Sequence, residues 1–173
     1  LIELANHHPR VDILRPGPGV GGHCLAVDPY FIIEAAPEVT PLIATARAVN
    51  SAKPEWVVGK VAAAVAGNGA PVIAALGLAF KPNIDDLRES PAREVVGLLA
   101  DTFPGGLIRV AEPHVDALPP ELAARANVAL VPSLDGAVAG ADAVVLLVDH
   151  RAFAEQPALP EGTPVIDTRG IWR

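Results

Sequence analysis

Apolar residues recur in two rhythms along this 173-residue chain, and the change of rhythm divides it. From Thr40 to about Gly67 they return at helical spacing, at Leu42, Ile43, Ala46 and Val49 and again at Val57, Val58, Val61, Ala62 and Val65. Pro54 interrupts that stretch and fits either the first position of a second helix or a kink. From Pro71 onward, short unbroken apolar runs alternate with helical ones. PVIAALGLAF, LIRVAEP, NVALV, ADAVVLLVDH and TPVIDTRG predict five strands. SPAREVVGLLAD and SLDGAVAG predict helices capped by Ser90 and Ser133, with Pro91 at the first position of the former, and RAFAE predicts a helical turn. Apolar strands separated by helices indicate a parallel sheet covered by helices. The expectation is therefore an α/β fold, a small doubly wound parallel sheet over residues 68–173, preceded by residues 1–67 with a glycine-rich loop and a helical connector. The opening LIELANHH has a helical pattern with no N-cap ahead of it and breaks at Pro9, so it reads as a helix entered partway through.

Composition narrows the function classes. Half of the residues are apolar (51%), enough to bury a sizeable core. The net charge of −7 argues against a nucleic-acid surface, which needs faces rich in Lys and Arg, so any anionic ligand must be held by a few placed cations. No run of about 18 uncharged apolar residues is present to span a membrane. The first residues lack a charged-then-apolar leader, and a single cysteine excludes an intramolecular disulfide framework; a reducing cytoplasm is the expected compartment.

That cysteine, Cys24, closes the run Gly17-Pro18-Gly19-Val20-Gly21-Gly22-His23, with Asp28 four residues on. Glycines let a substrate approach closely and leave backbone amides open to it. Asp28-Pro29 reads as an N-cap and first-turn proline, which would put the positive end of a helix near the thiol. Asp28 has a second possible role, orienting a water or proton near Cys24. His23 could serve the thiol as a base, although sequence neighbours often point apart. GPGVGG also matches the dinucleotide fingerprint at Gly17, Gly19 and Gly22, but prolines interleave the glycines and His23-Cys24 stands where a helix should open, so it is rejected as a cofactor loop. Lys81 and Arg88 bracket KPNIDDLR directly before a capped helix, a place where anions collect; equally, they could pair with Asp85, Asp86 and Glu89. Arg169, after the last strand, could reach the same sheet edge. His7, His8 and Arg10 lack metal-ligand spacing, and no metal site is expected.

Taken together, GPGVGGHCLAVDPYF followed by GLAFKPNIDDLRESPA resembles the UDP-sugar and GDP-sugar 6-dehydrogenases, whose nucleophile loop has the form G-x-G-G-x-C-x-x-x-D. His23 before the cysteine, no lysine between Cys24 and Asp28, and the HPR segment resemble the branch acting on UDP-N-acetylhexosamines, with UDP-N-acetylglucosamine or UDP-glucose as alternative substrates and a non-catalytic UDP-binding module as an alternative role. The resemblance implies a Rossmann-like UDP-binding domain, a homodimer joined through the Thr40 to Gly67 helices, and oxidation of a UDP-sugar alcohol to a carboxylate with two NAD. Under it, Cys24 is the nucleophile that forms a thiohemiacetal and then a thioester, and Asp28 handles water and protons. Gly21, His8 and Arg10 contact substrate, the arginine from a partner subunit. Phe80, Lys81 and Arg169 contact the UDP side, and Arg88 contacts the cofactor. The family's amino-terminal glycine-fingerprint domain and its catalytic lysine and asparagine have no counterpart in these residues. The chain is thus expected to be a carboxy-terminal part of a longer enzyme and inactive alone.

Overall fold

The computed structural model describes residues 1–10 and 13–172. Five strands, β1 (Val72–Leu76), β2 (Leu107–Ala111), β3 (Val128–Val131), β4 (Ala143–Leu146) and β5 (Val165–Asp167), form one sheet in the order β3-β2-β1-β4-β5. Every pairing is parallel. The chain enters at the middle, builds outward through β2 and β3, then returns to lay β4 and β5 on the other side of β1. This is the doubly wound, Rossmann-like α/β arrangement, and its switch point lies between β1 and β4.

Side-chain alternation explains why the apolar runs are unbroken. Ile73 and Ala75 of β1 and Ala143 and Val145 of β4 face one core, while Ala74 and Leu76 and Val144 and Leu146 face the other. With both faces covered, neither set of alternate positions can be polar. The first core is roofed by α4 (Lys53–Ala64) and α5 (Pro91–Thr102), through Val57, Val58, Val61, Val95, Val96 and Leu99. The second is closed by α7 (Leu134–Val138) and Phe153. The helix read as a connector is thus one of the sheet's covers. Pro54 falls in the first turn of α4, and α3 (Pro41–Ser51) ends just before it, which settles the choice between helix start and kink.

The other helices are α1 (Ile2–Ala5), α2 (Asp28–Ala35) and α6 (Pro120–Ala123), the last not expected from the pattern. Neither α2 nor α3 has a fully buried residue, and Tyr30, Phe31, Ile32, Leu42 and Val49 are exposed.

Two expected caps differ. Ser133 does accept the Gly136 amide at 3.1 Å, but Ser90, at the N-cap of α5, makes no capping bond and its Oγ is buried without a partner among the described residues. Asp28 is the first helical residue and not the cap, because the Cys24 carbonyl already accepts the amides of Val27 (3.0 Å) and Asp28 (2.8 Å). The helical turn therefore starts at the cysteine itself. Strands are also shorter than the apolar runs: β1 stops at Leu76 because Gly77 turns the chain at φ 96, where a Cβ would come within 2.5 Å of the Val148 side chain.

Candidate functional site

The carboxyl ends of β1 and β4 open onto a cleft of about 560 Å³, at the switch point where doubly wound sheets take ligands. Phe80, Lys81 and Pro82 line it from the segment after β1, Asp149 from the segment after β4, and Arg169 from the turn after β5. The glycine loop supplies the facing wall with Gly19, Val20 and Gly21, extended by Ile13, Leu14, Arg15 and Leu25. Three cations, Arg15, Lys81 and Arg169, stand against one carboxylate, Asp149. On a chain of net charge −7 this is a local positive excess beside an aromatic ring, suited to a compact dianion joined to a flat apolar group.

Each lining group is placed by its surroundings. Asp167, at the end of β5, accepts the amides of Arg169 (2.8 Å), Gly170 (2.6 Å) and Trp172 (2.8 Å), folding the terminal turn so that Arg169 returns to the sheet edge. There its Nη2 lies 2.8 Å from Asp149 Oδ1, and its Nε is buried with no protein partner among the described residues. A Cβ at Gly17 would collide with this guanidinium. Lys81 makes no ion pair with a described residue and is exposed at the mouth. Arg88 behaves differently: it chelates Asp86, with Nη2 2.6 Å from Oδ2 and Nε 3.0 Å from both oxygens. Hydrogen bonds from Arg88 hold the Asp86 carboxyl down to about 2. Of the two sequence readings of this charged segment, Arg88 follows the ion-paired one, while Lys81 stays available to a ligand.

The glycine loop is docked, not loose. Asn50 of α3 accepts the Val20 amide at 2.8 Å and donates to the Val20 carbonyl at 3.1 Å, so one side chain imitates a neighbouring strand. The Gly22 amide donates to the Arg88 carbonyl at 3.3 Å. A Cβ on Gly21 would run into the Glu89 carbonyl, and one on Gly22 would meet the Phe80 ring at 2.9 Å. These glycines are small because the loop lies directly on the segment that follows β1. The docking brings Cys24 into the electrostatic neighbourhood of Arg88, and His23 into that of Asp86. Cys24 is exposed, and His23 Nδ1 stands 2.9 Å from its Sγ, so these two neighbours do point together. Asp28 lies exposed on α2. His8 and Arg10 are exposed, joined by the Arg10 amide donating to His8 Nδ1 at 3.3 Å, and do not line the cleft.

Sequence reasoning passed over Arg15, Asn50, Asp149 and the buried pair Glu112 and His150. The position of Glu112, just past β2, is where dinucleotide-binding sheets place the acid that holds a ribose hydroxyl. Here its side chain is wholly inaccessible and its oxygens accept the Leu78, Ala79 and His114 amides. The turn after β1 also carries a single glycine, Gly77. The residues of this sheet therefore do not fit a dinucleotide. Among the described residues no cluster of His, Cys, Asp and Glu could hold a metal ion, and no helix is long and apolar enough to cross a membrane.

A five-stranded doubly wound sheet with a cationic cleft at its switch point has the architecture of a nucleotide-binding α/β domain. Comparison with known proteins gives the family. Residues 74–173 match the UDP binding domain of the UDP-glucose/GDP-mannose dehydrogenase family and residues 1–52 match its central domain; the chain belongs to this family. It is 53% identical over 99% of its length to the NDP-N-acetyl-D-galactosaminuronic acid dehydrogenase of Ralstonia nicotianae, covering 40% of that protein. It is 50% identical over its whole length to the UDP-N-acetyl-D-mannosamine dehydrogenase of Escherichia coli K12, covering 42% of it. Among solved structures, the UDP-D-ManNAc dehydrogenase of Pyrococcus horikoshii superposes with a TM-score of 0.77 at 34% identity, over 99% of this chain and 40% of that one. The chain thus spans about two fifths of the length of the curated relatives it matches.

Proposed function

We propose that this chain is the substrate-binding and nucleophile-bearing part of a cytoplasmic, NAD-dependent UDP-sugar 6-dehydrogenase acting on UDP-N-acetyl-D-mannosamine. On this reading residues 1–67 belong to the central domain and residues 68–173 form the UDP-sugar-binding domain. The observation that carries it is the cleft: its cations suit a diphosphate, Phe80 offers a face to a base, and its far wall is the loop that continues to Cys24. The whole enzyme would convert the sugar's primary alcohol to a carboxylate with two NAD, the dinucleotide being bound by residues other than those of this sheet. Arg88, outside the cleft and joined through its carbonyl to the Gly22 amide of the loop, is the group of this chain assigned to the cofactor side.

Cys24 supplies a nucleophile at an exposed position beside His23. Its sulfur adds to the aldehyde carbon, the carbonyl oxygen takes up the proton that the thiol gives up, and a thiohemiacetal results. At the thioester stage water attacks the acyl carbon and the thiol leaves, with Asp28 handling the water's proton. Gly21 lets the sugar approach the loop backbone, His8 contacts substrate, and Arg10 reaches it from the other subunit of a homodimer joined through the helices of residues 40–67, where α3 leaves Leu42 and Val49 exposed. The 53% identity to the Ralstonia protein favours a second reading, the same chemistry on another N-acetylhexosamine epimer.

Calorimetric titration with UDP, UDP-N-acetylmannosamine and NAD separately tests this. The uridine ligands are expected to bind, more weakly by about tenfold after Lys81→Ala or Arg169→Ala, since each removes one charge-assisted contact. NAD is expected to bind weakly and to support no turnover by this chain alone. Tight NAD binding without UDP binding would overturn the assignment.

A further inference from the structure

Glu112 and His150 are wholly inaccessible to solvent, and no step proposed above uses them. Burying an ionised carboxylate is costly, and where only stability is at stake an apolar residue often serves as well. The partners of this pair show a more specific use. Glu112 Oε2 accepts the amides of Leu78 (2.7 Å) and Ala79 (3.1 Å), the two residues before Phe80, and lies 3.0 Å from His150 Nε2. On the far side of Phe80 and Lys81, His150 Nδ1 accepts the Asn83 amide at 2.9 Å, and Asn83 Oδ1 accepts the Arg151 amide at 2.9 Å. Because Nδ1 accepts from a backbone amide, the ring hydrogen sits on Nε2 and is donated to Glu112. Asn83 stands in the left-handed region at φ 62, a conformation that surrounding hydrogen bonds must maintain.

We propose that Glu112 and His150 are positioning residues for the nucleotide cleft: together they clasp residues 78–83 from both ends and so fix where Phe80 and Lys81 meet the ligand. The acid that a dinucleotide-binding sheet would offer to a ribose is here turned inward to shape the site for a different nucleotide. The inference rests on the reading of the cleft as a UDP site.

Glu112→Leu keeps the bulk but removes every acceptor, whereas a glutamine could keep its oxygen at the Oε2 position and retain the Leu78, Ala79 and His150 bonds. Glu112→Leu is expected to weaken UDP binding about tenfold while circular dichroism shows a folded chain, the loss that follows when a two-sided hydrogen-bonded hold is broken. His150→Gln, a milder change that keeps a donor for Glu112 but abandons the Asn83 amide, should weaken UDP by a smaller factor, about threefold. Leu122→Ala, a buried apolar truncation at the β3 side of the sheet, serves as the control for lost stability and should leave UDP affinity within about twofold. Amide exchange gives a readout independent of the ligand: Leu78, Ala79 and Asn83 should speed up selectively in the first two variants and not in the third. Unchanged UDP affinity in Glu112→Leu, or an equal loss in Leu122→Ala, would overturn the proposal. If the unaltered chain binds no UDP, the functional reading fails, and exchange decides the clasp alone: selective acceleration supports it and uniform acceleration overturns it.

Discussion

Replacing Asn50 by alanine tests whether the glycine loop is held by its own shape or by the helix behind it. Asn50 makes two hydrogen bonds to one residue, accepting from the Val20 amide at 2.8 Å and donating to the Val20 carbonyl at 3.1 Å. Each such bond contributes about 0.5–1.5 kcal/mol net. Val20 is half-buried, so its freed backbone groups regain only part of their hydration. The loss is therefore about 1–3 kcal/mol, which multiplies the loop-opening constant by about 5 to 150. The Val20 amide loses its acceptor directly and is a poor judge. The Gly22 amide is better, because its bond to the Arg88 carbonyl at 3.3 Å is untouched by the substitution and exists only while the loop is docked. Native-state hydrogen exchange should show the Gly22 amide accelerating by that factor while the amides of β1 do not change. Asn50→Asp keeps the acceptor for Val20 N–H but sets a carboxylate against the Val20 carbonyl, so it should not restore protection. If Gly22 exchanges at the original rate in Asn50→Ala, the clamp is incidental and the loop is held by its contacts with Glu89, Phe80 and Pro91 alone.

Those contacts make their own prediction. Gly21→Ala aims a Cβ at the Glu89 carbonyl and within 2.8 Å of Pro91 Cδ, groups of backbone and ring that cannot swing aside. Overpacking of about 1–3 kcal/mol should undock the loop, accelerating Gly22 exchange and weakening UDP with little change in the unfolding of the sheet. The pH dependence of stability should carry the mark of Glu112. Burial pushes its carboxyl up, but hydrogen bonds from His150 and from the Leu78 and His114 amides outweigh burial and hold it below the ordinary glutamate value. A lowered native value means the stabilisation is fully present above the unfolded-chain value of about 4.3 and is lost as pH falls through the native one. Urea unfolding between neutral and acid pH should show this decline, and Glu112→Gln should flatten it; an identical slope in both would refute the assignment.

Much of the sheet was legible because its strands are buried on both faces, which leaves short unbroken apolar runs rich in valine, such as AVVLL, whose length and β-branching favour a covered parallel strand over a buried helix. Ends were less legible. Gly77 cuts β1 short through a turn and a contact with Val148, and nothing local in PVIAALGLAF announces that. Cap readings succeeded at Ser133 and failed at Ser90 and Asp28, since an N-cap depends on which carbonyl opens the turn, and at Asp28 that carbonyl belongs to Cys24. Within the site, Lys81, Arg169 and Gly21 were accessible from their places after strands or within the loop. Asn50 was not, because its partner is thirty residues away and an asparagine on an exposed helix has no distinguishing neighbours. Asp149 and His150 close the run ADAVVLLVDH, yet only the folded chain shows that one faces the cleft and the other the interior.

The cleft and the thiol are separate in sequence reading and joined in structure. Gly19, Val20 and Gly21 form one wall of the cleft, and the same loop reaches Cys24 within three more residues. A ligand that touches both walls binds the docked loop and not the undocked one, so its binding free energy adds to docking, about 2.7 kcal/mol when the ligand is at a hundred times its dissociation constant. That is as large as the whole contribution reckoned for the Asn50 clamp. On the proposed function, the nucleotide portion, far from the reacting carbon, would do what remote binding energy does in catalysis: hold the backbone that carries Cys24 still at the moment the sugar is presented to it. On this argument the glycines serve contact as well as conformation: Gly19 and Gly22 stand at positive φ, and Gly21 and Gly22 are also small where the loop lies on the segment after β1. On the proposed function, the tightness of that contact would let a nucleotide site govern the thiol.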